Sequence, residues 1–510
     1  MTAEPRNPAT ARVLAKNTMY NLGTQVLLVL LSFLSFPILV RKVSTEGFGL
    51  LSLIWVLIGY FSILDLGVSR AITKFISEFL TRDEHEPIFG FTWTSLSLSV
   101  IFGCTVGIAI LAAREFVVVE LFHVAGALAS EASESLVIAA FGIPVMLAQG
   151  ILRGVQTAYQ RFDLVNGLQG GTGAIQWIGS VVIVLNGGGV REVVLLTVLS
   201  RVLALGVSFA VLPRLMPGVF TSVRLWNKSF AWKLLSFGGW VSLTQVISPL
   251  FTYIDRLMLA SFLALSAVAY YTVPQESVTR LLILPLSMTS ALYPILSGWA
   301  SGTVDARRSS AMYTRAVKYV TILMFPLVTL LFLFSHEILA LWMGNDFSDH
   351  GAISLQILLV GLLFNAVAQI SITALHANGR PDLPAKFNLL ELPLMIGLNL
   401  LLIPVLGIVG ASIAWTMRVS LDAILLARAS RPYAGSERFF PRAKHAARVP
   451  IMAVAAICLI AALITSSEHE AIRICAACGF AGAYGYGIWK YGFDATDRGF
   501  LLELRVRFLE

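Results

Sequence analysis

Apolar residues run along this chain in long, nearly unbroken stretches, divided by short clusters of charge. An α-helix needs about 20 mostly apolar residues to cross the hydrocarbon core of a bilayer. By that measure the pattern predicts fourteen spans, at 18–40, 47–69, 91–113, 135–157, 164–186, 190–212, 234–257, 259–297, 316–336, 353–376, 385–405, 408–430, 449–466 and 471–490. The eighth is too long for one straight crossing and holds Pro274, Pro285 and Pro294, so it should kink and extend beyond the bilayer.

Composition agrees. Of the 510 residues, 57% are hydrophobic and only 13% charged, against about 25% charge in a soluble domain. With a mean hydropathy of +0.80, there is too little polar surface for a soluble enzyme or a disordered chain. The expectation is an all-α integral membrane protein. The net charge of +8 does not point to nucleic acid, because the cations sort by membrane side. With the N-terminus inside, 28 of the 37 Lys and Arg fall on the cytoplasmic side, five on the other and four within spans. That asymmetry is a positive-inside signal, and an even number of crossings leaves both termini cytoplasmic. The first apolar run is longer than a signal-peptide core and lacks a small-residue cleavage site, so it is expected to stay in the membrane. Cys104, Cys458, Cys475 and Cys478 all lie in apolar stretches, which argues against a disulfide framework.

Short matches recur in order at a slowly drifting offset of 217–220 residues: Thr24-Gln25-Val26 with Thr244-Gln245-Val246, Ala148-Gln149 with Ala368-Gln369, Ile178-Gly179 with Ile396-Gly397, and Arg201 with Arg418. The offset covers six spans, so the two halves share one orientation and form a parallel internal repeat. The expected organisation is an N-terminal six-helix bundle at 1–215, a cytoplasmic linker at 216–233 and a second bundle at 234–430. A basic loop at 431–448 follows, then spans 13 and 14 with a cytoplasmic tail at 449–510.

The chain also carries Asn17-x-x-Tyr20, Pro37-Ile38-Leu39-Val40-Arg41, Glu46-Gly47-Phe48-Gly49-Leu50 and Leu64-Asp65-Leu66-Gly67-x-x-Arg70. Leu284-Pro285-Leu286, Tyr293-Pro294-Ile295-Leu296-Ser297 and Asn378-Gly379-Arg380 follow. Over about 1–430 these motifs resemble the polysaccharide-transport and O-antigen flippase branch of the multidrug/oligosaccharidyl-lipid/polysaccharide exporter superfamily. The resemblance implies a MATE-like fold. It also implies movement of an undecaprenyl-diphosphate-linked oligosaccharide (an O-antigen, capsule or exopolysaccharide unit) across the bacterial inner membrane by alternating access. Polysaccharide polymerase and chain-length proteins are the partners it suggests, besides membrane lipids.

No nucleotide-binding G-x-x-x-x-G-K-[ST] and no H-E-x-x-H motif occurs, so neither ATP nor metal chemistry is expected and no cofactor is implied. Cys475-Ala476-Ala477-Cys478 has metal-like spacing near His469 but lies at the start of an apolar span, where buried cysteine is the simpler reading. Charges inside spans carry most of the information, because hydrocarbon makes them costly unless they face a partner or a water-filled cavity. Arg201, Arg280 and Arg418 are candidates for a diphosphate site in a central cavity, since a guanidinium forks onto phosphate oxygens. Each could instead be a structural pair, Arg280 with Glu276 and Arg418 with Asp422, one helical turn away. Gln25 and Gln245, repeat mates, could bind sugar hydroxyls or join helices. Asp65, Arg70 and Glu276 are coupling or gating candidates, although Asp65 could anchor a helix end and Arg70 could snorkel. Glu391 and the Asp255-Arg256 pair are placed near span ends, where snorkelling would suffice.

Two relatives of the flippase compete with this reading. A lipid II flippase would carry arginine on the first two spans, which these lack before Arg70, and a multidrug antiporter would want a net acidic cavity. A membrane glycosyltransferase or polymerase would offer a large external loop or a catalytic acidic cluster, and neither is visible.

Overall fold

A computed structural model describes residues 8–63, 67–124, 126–221, 226–289 and 306–434, together with Leu296 and Tyr484. Among these residues the regular structure is helical throughout: α1 Pro8–Val43, α2 Thr45–Ile63, α3 Val68–Thr81, α4 Glu86–Glu115, α5 Ala127–Ala158, α6 Phe162–Leu185 and α7 Val190–Leu215. Then follow α8 Lys228–Phe262, α9 Leu265–Arg280, α10 Ala306–Leu333, α11 Ser335–Met343, α12 Asn345–Ala377, α13 Asp382–Leu406 and α14 Ile408–Ser430. A π-helix at Phe116–Leu121 extends α4. Nine helical stretches among the described residues are long and apolar enough to cross a membrane.

Within the described residues each of the first twelve expected spans falls on helix, while 64–66 of the second and 290–295 and 297 of the eighth lie outside those residues. Spans 13 and 14, and with them three of the four cysteines, lie outside the described residues apart from Tyr484. Two spans are interrupted for local reasons. The second ends at Ile63, and α3 begins after Gly67, whose φ of +69° is a left-handed conformation that suits glycine. The eighth turns at Leu281-Leu282 and resumes helix at 283–289. Pro285 explains the turn: it has no N–H to give the Leu281 carbonyl, and its ring crowds that oxygen. Short α11 ends at Gly344, at φ +106°.

By internal contacts the chain divides into two compact units, Met1–Val273 with Leu392–Ala411, and Pro274–Glu391 with Ser412–Glu510. The repeat expected from the sequence would divide the chain differently, because it rests on likeness along the chain and not on spatial contact. In the first unit α5 is the central helix, packed most extensively on α4 and α7. Small residues let these helices close up. A Cβ at Gly103 would meet the backbone of Pro144 at 2.6 Å, and one at Gly107 the Ala140 carbonyl at 2.8 Å. In the second unit α12 packs on α10 and α11, and Tyr313 of α10 bonds Ser371 at 2.8 Å and Ser430 at 3.2 Å. Large side chains such as Leu34, Ile108, Phe141 and Leu401 face outward, as expected where the solvent is lipid.

Candidate functional site

The first unit holds a small pocket of about 60 Å³ between α5, α6 and α7, lined by both polar and apolar side chains. Gln149, Arg153 and Gln156 are spaced four and three residues apart, so they line one face of α5. Opposite them α7 contributes Arg201 and Ser208, and α6 contributes Gln169. Gln156 Nε2 donates to Ser208 Oγ at 3.2 Å, tying α5 to α7 below the guanidinium groups. Arg201 Nε is buried without an acceptor. The pocket lining includes no carboxylate. Two cations, amide donors and an unused guanidinium N–H make this a place suited to an anion with several oxygens.

The register of Arg153 is held from behind. A Cβ on the adjacent Gly154 would lie 2.7 Å from the Ser69 carbonyl at the start of α3. Thr73 Oγ1 donates to the Gly154 carbonyl at 3.0 Å, which fixes α3 against this turn of α5.

The second unit presents its charges as pairs. Arg418 of α14 donates through Nη1 to Glu391 Oε2 of α13 at 3.3 Å, with the Glu391 side chain fully buried. Arg280 and Glu276 form an intrahelical pair at 3.3 Å, each about a quarter exposed. The partner of Arg418 across helices is therefore Glu391, not only Asp422 on its own helix.

Of the remaining expected residues, Gln25 is exposed on α1 and Arg70 is exposed on α3. Asp65 lies outside the described residues, as does the side chain of Gln245, although its backbone is part of α8. Glu391 and Asp255 do not snorkel: both are fully buried, and Arg256 is 5% exposed. Asp255 accepts from Tyr271 Oη at 2.7 Å and from Asn399 Nδ2 at 3.0 Å, linking α8, α9 and α13 within the first unit. Distance from a span end says how deep a residue sits but not which way it faces, and here these acids face protein. Arg153 was legible only as a charge at the cytoplasmic end of a span. The stripe of Gln149, Arg153 and Gln156 was the signal that it shares a face with the pocket, which it lines while remaining exposed.

The profile of a family described as polysaccharide biosynthesis protein matches residues 14–299, more than half of the chain. The chain belongs to this family. A second profile, MatE, matches residues 241–401. Among curated relatives, a Shigella flexneri protein named "Putative O-antigen transporter" is 26% identical over 81% of this chain and 96% of its own length. A Haloferax volcanii protein named "Probable low-salt glycan biosynthesis flippase" is 23% identical over 78% of this chain and 79% of its own.

Solved structures share the fold. The lipid II flippase MurJ in an inward closed conformation superposes with a TM-score of 0.71, covering 93% of this chain and 98% of that one at 13% identity. An inward-facing multidrug MATE transporter gives 0.69 at 17% identity, over 80% and 94%. The architecture is thus the MATE-like, all-α membrane fold that the sequence motifs implied.

Proposed function

We propose that this protein moves a lipid-linked oligosaccharide carrying a diphosphate from the cytoplasmic to the outer leaflet of a bacterial inner membrane. The observation that carries the reading is the Arg153–Arg201 pocket: exposed Arg153 and half-buried Arg201, whose Nε is buried, line one pocket with no carboxylate among the lining residues. Hydrocarbon makes such a charge costly unless something anionic visits it, and a diphosphate brings both the charge and the acceptor oxygens. The family match and the names of the relatives support a glycan as the cargo. The protein acts by binding and reorientation, without a catalytic step of its own, and both termini are cytoplasmic by the lysine and arginine asymmetry. Arg280, Arg418 and Gln25 are further candidates for contact with the substrate, and Asp65, Arg70 and Glu276 for gating. The polymerase and chain-length proteins that act on exported glycans are its expected partners.

A lipid II flippase or multidrug exporter is the second reading, favoured only by the shared fold. Deleting the gene separates them. The flippase reading expects an undecaprenyl-diphosphate-linked oligosaccharide to accumulate on the cytoplasmic leaflet and surface glycan to disappear, with peptidoglycan synthesis unaffected.

A further inference from the structure

The second unit brings a fully buried acid, Glu391, together with a buried base, Arg418, and a half-buried acid, Asp422. Glu391 has no exposed surface, and its Oε2 accepts from Arg418. Arg418 itself is only 8% exposed. Asp422, one turn beyond Arg418 on α14, is the second carboxyl that interacts with Glu391. Yet Glu391 Oε1 is buried with no donor. An orphaned carboxylate oxygen beside a second carboxyl is what remains when the proton joining them is left out: two ionised carboxylates repel, whereas one protonated carboxyl donates to the other.

The charge balance leads to the same place. α13 and α14 pack on α12 through Leu383, Phe387, Ala423 and Leu426, and Thr416 Oγ1 donates to the Ile357 carbonyl of α12 at 2.9 Å. Between His350 and His376, α12 has no titratable side chain. On α13 the only other charges are Asp382 and Lys386, which pair with each other at 3.0 Å at the helix start. On α14 the remaining charge, Arg428, is exposed. Among the described residues of these helices Arg418 is thus the one cation available to two acids. Fully ionised, the cluster would carry a net negative charge inside the membrane; with one proton it is neutral. An uncompensated buried charge is strongly unfavourable.

We propose that Glu391, Asp422 and Arg418 form a proton-binding site that holds one proton between its two carboxyls and exchanges it during the transport cycle. The occupancy stands on the cluster alone; the exchange rests on the transport reading above. The chemistry is a plain acid dissociation, with the proton passing to or from water and the carboxylate left behind held by Arg418. Because the carboxyls are coupled, the proton belongs to the pair and to neither residue alone.

Infrared difference spectroscopy of the full-length protein in lipid nanodiscs, stepped from about pH 5 to about pH 9 around the carboxylate and histidine ranges, tests the occupancy. The wild-type protein should show one buried protonated carboxyl. Asp422→Asn and Glu391→Gln should each abolish it, because each leaves a single acid neutralised by Arg418, and both variants should fold because the cluster stays neutral. Arg418→Met should double the signal. A carboxyl band unchanged in both Asn and Gln variants would overturn the site. For the exchange, surface glycan export in cells should depend on external pH in the wild type and lose that dependence in Asp422→Asn. An unaltered pH profile in that variant would refute exchange. Failure of the transport reading is separable, since it would show as no lipid-linked intermediate in the deletion strain while the infrared result stands.

Discussion

Arg153 of α5 and Arg201 of α7 line the same small pocket, Arg201 half-buried and Arg153 at its exposed side, with no carboxylate among the residues that line it. Two like charges at close quarters destabilise the empty protein, so the pair is expected to serve a bound anion at some expense of stability. Arg201→Met should leave the unfolding midpoint unchanged or raise it by a few degrees. Arg201→Ala should lower export by about ten- to a hundredfold, the equivalent of one charge-assisted contact of about 1.5–3 kcal/mol. Arg201→Lys should recover only part, because lysine lacks the planar fork. Thermal unfolding and glycan export measured on the same variants check both halves.

The Glu276–Arg280 pair is an i, i+4 pair that is partly exposed, and such pairs contribute only about 0.3–0.5 kcal/mol. Arg280→Ala should therefore leave protein abundance near normal. If Arg280 contacts the diphosphate, export stays lost in the double variant Glu276→Ala/Arg280→Ala. Full export by the double variant, read by surface glycan immunoblot, would restrict this arginine to a structural role.

Glu131 of α5 caps the start of α7: its Oε1 accepts from the Val190 amide at 2.6 Å and the Arg191 amide at 3.3 Å. Glu134 pairs with Arg191 at 2.8 Å. A Cβ on Gly189 would collide with the Glu131 carboxylate. Glu131→Ala should cost about 1–2 kcal/mol by exposing unsatisfied helix-end amides, and Gly189→Ala should do so by displacing the cap. Both should lower the unfolding midpoint without altering the selectivity of export.

Topology follows from the cation asymmetry. Single cysteines near Arg224, Arg308 and Arg438 should be shielded from an impermeant thiol reagent in spheroplasts that lack the native cysteines. Cysteines at Ser130 and Asp346 should react. Labelling of position 308 from outside would reverse the assigned orientation.

The helices were legible because apolar length is a property of sequence alone, and the first twelve expected spans all meet helix. The break at Gly67 and short α11 were hidden, because a window of about 20 residues averages over a single left-handed glycine. The arginines were legible as costly residues, but their partners were not. Glu391 is 27 residues from Arg418 and joins it only once α13 and α14 are packed. Arg153 and Arg201 come together through the packing of α5 on α7. Helix facing, set by contacts such as Gly154 against Ser69, decides these pairings, and no spacing rule within one helix contains it.

Reconstituted transport tests the central claim most directly. Purified protein in proteoliposomes loaded with an undecaprenyl-diphosphate-linked oligosaccharide should carry the lipid between leaflets without added nucleotide, as scored by access of an impermeant glycosidase. Arg201→Ala should slow the transfer by about ten- to a hundredfold while the protein remains folded. Failure of the wild-type protein to move the lipid, or strict dependence on ATP with no other protein present, would contradict the account.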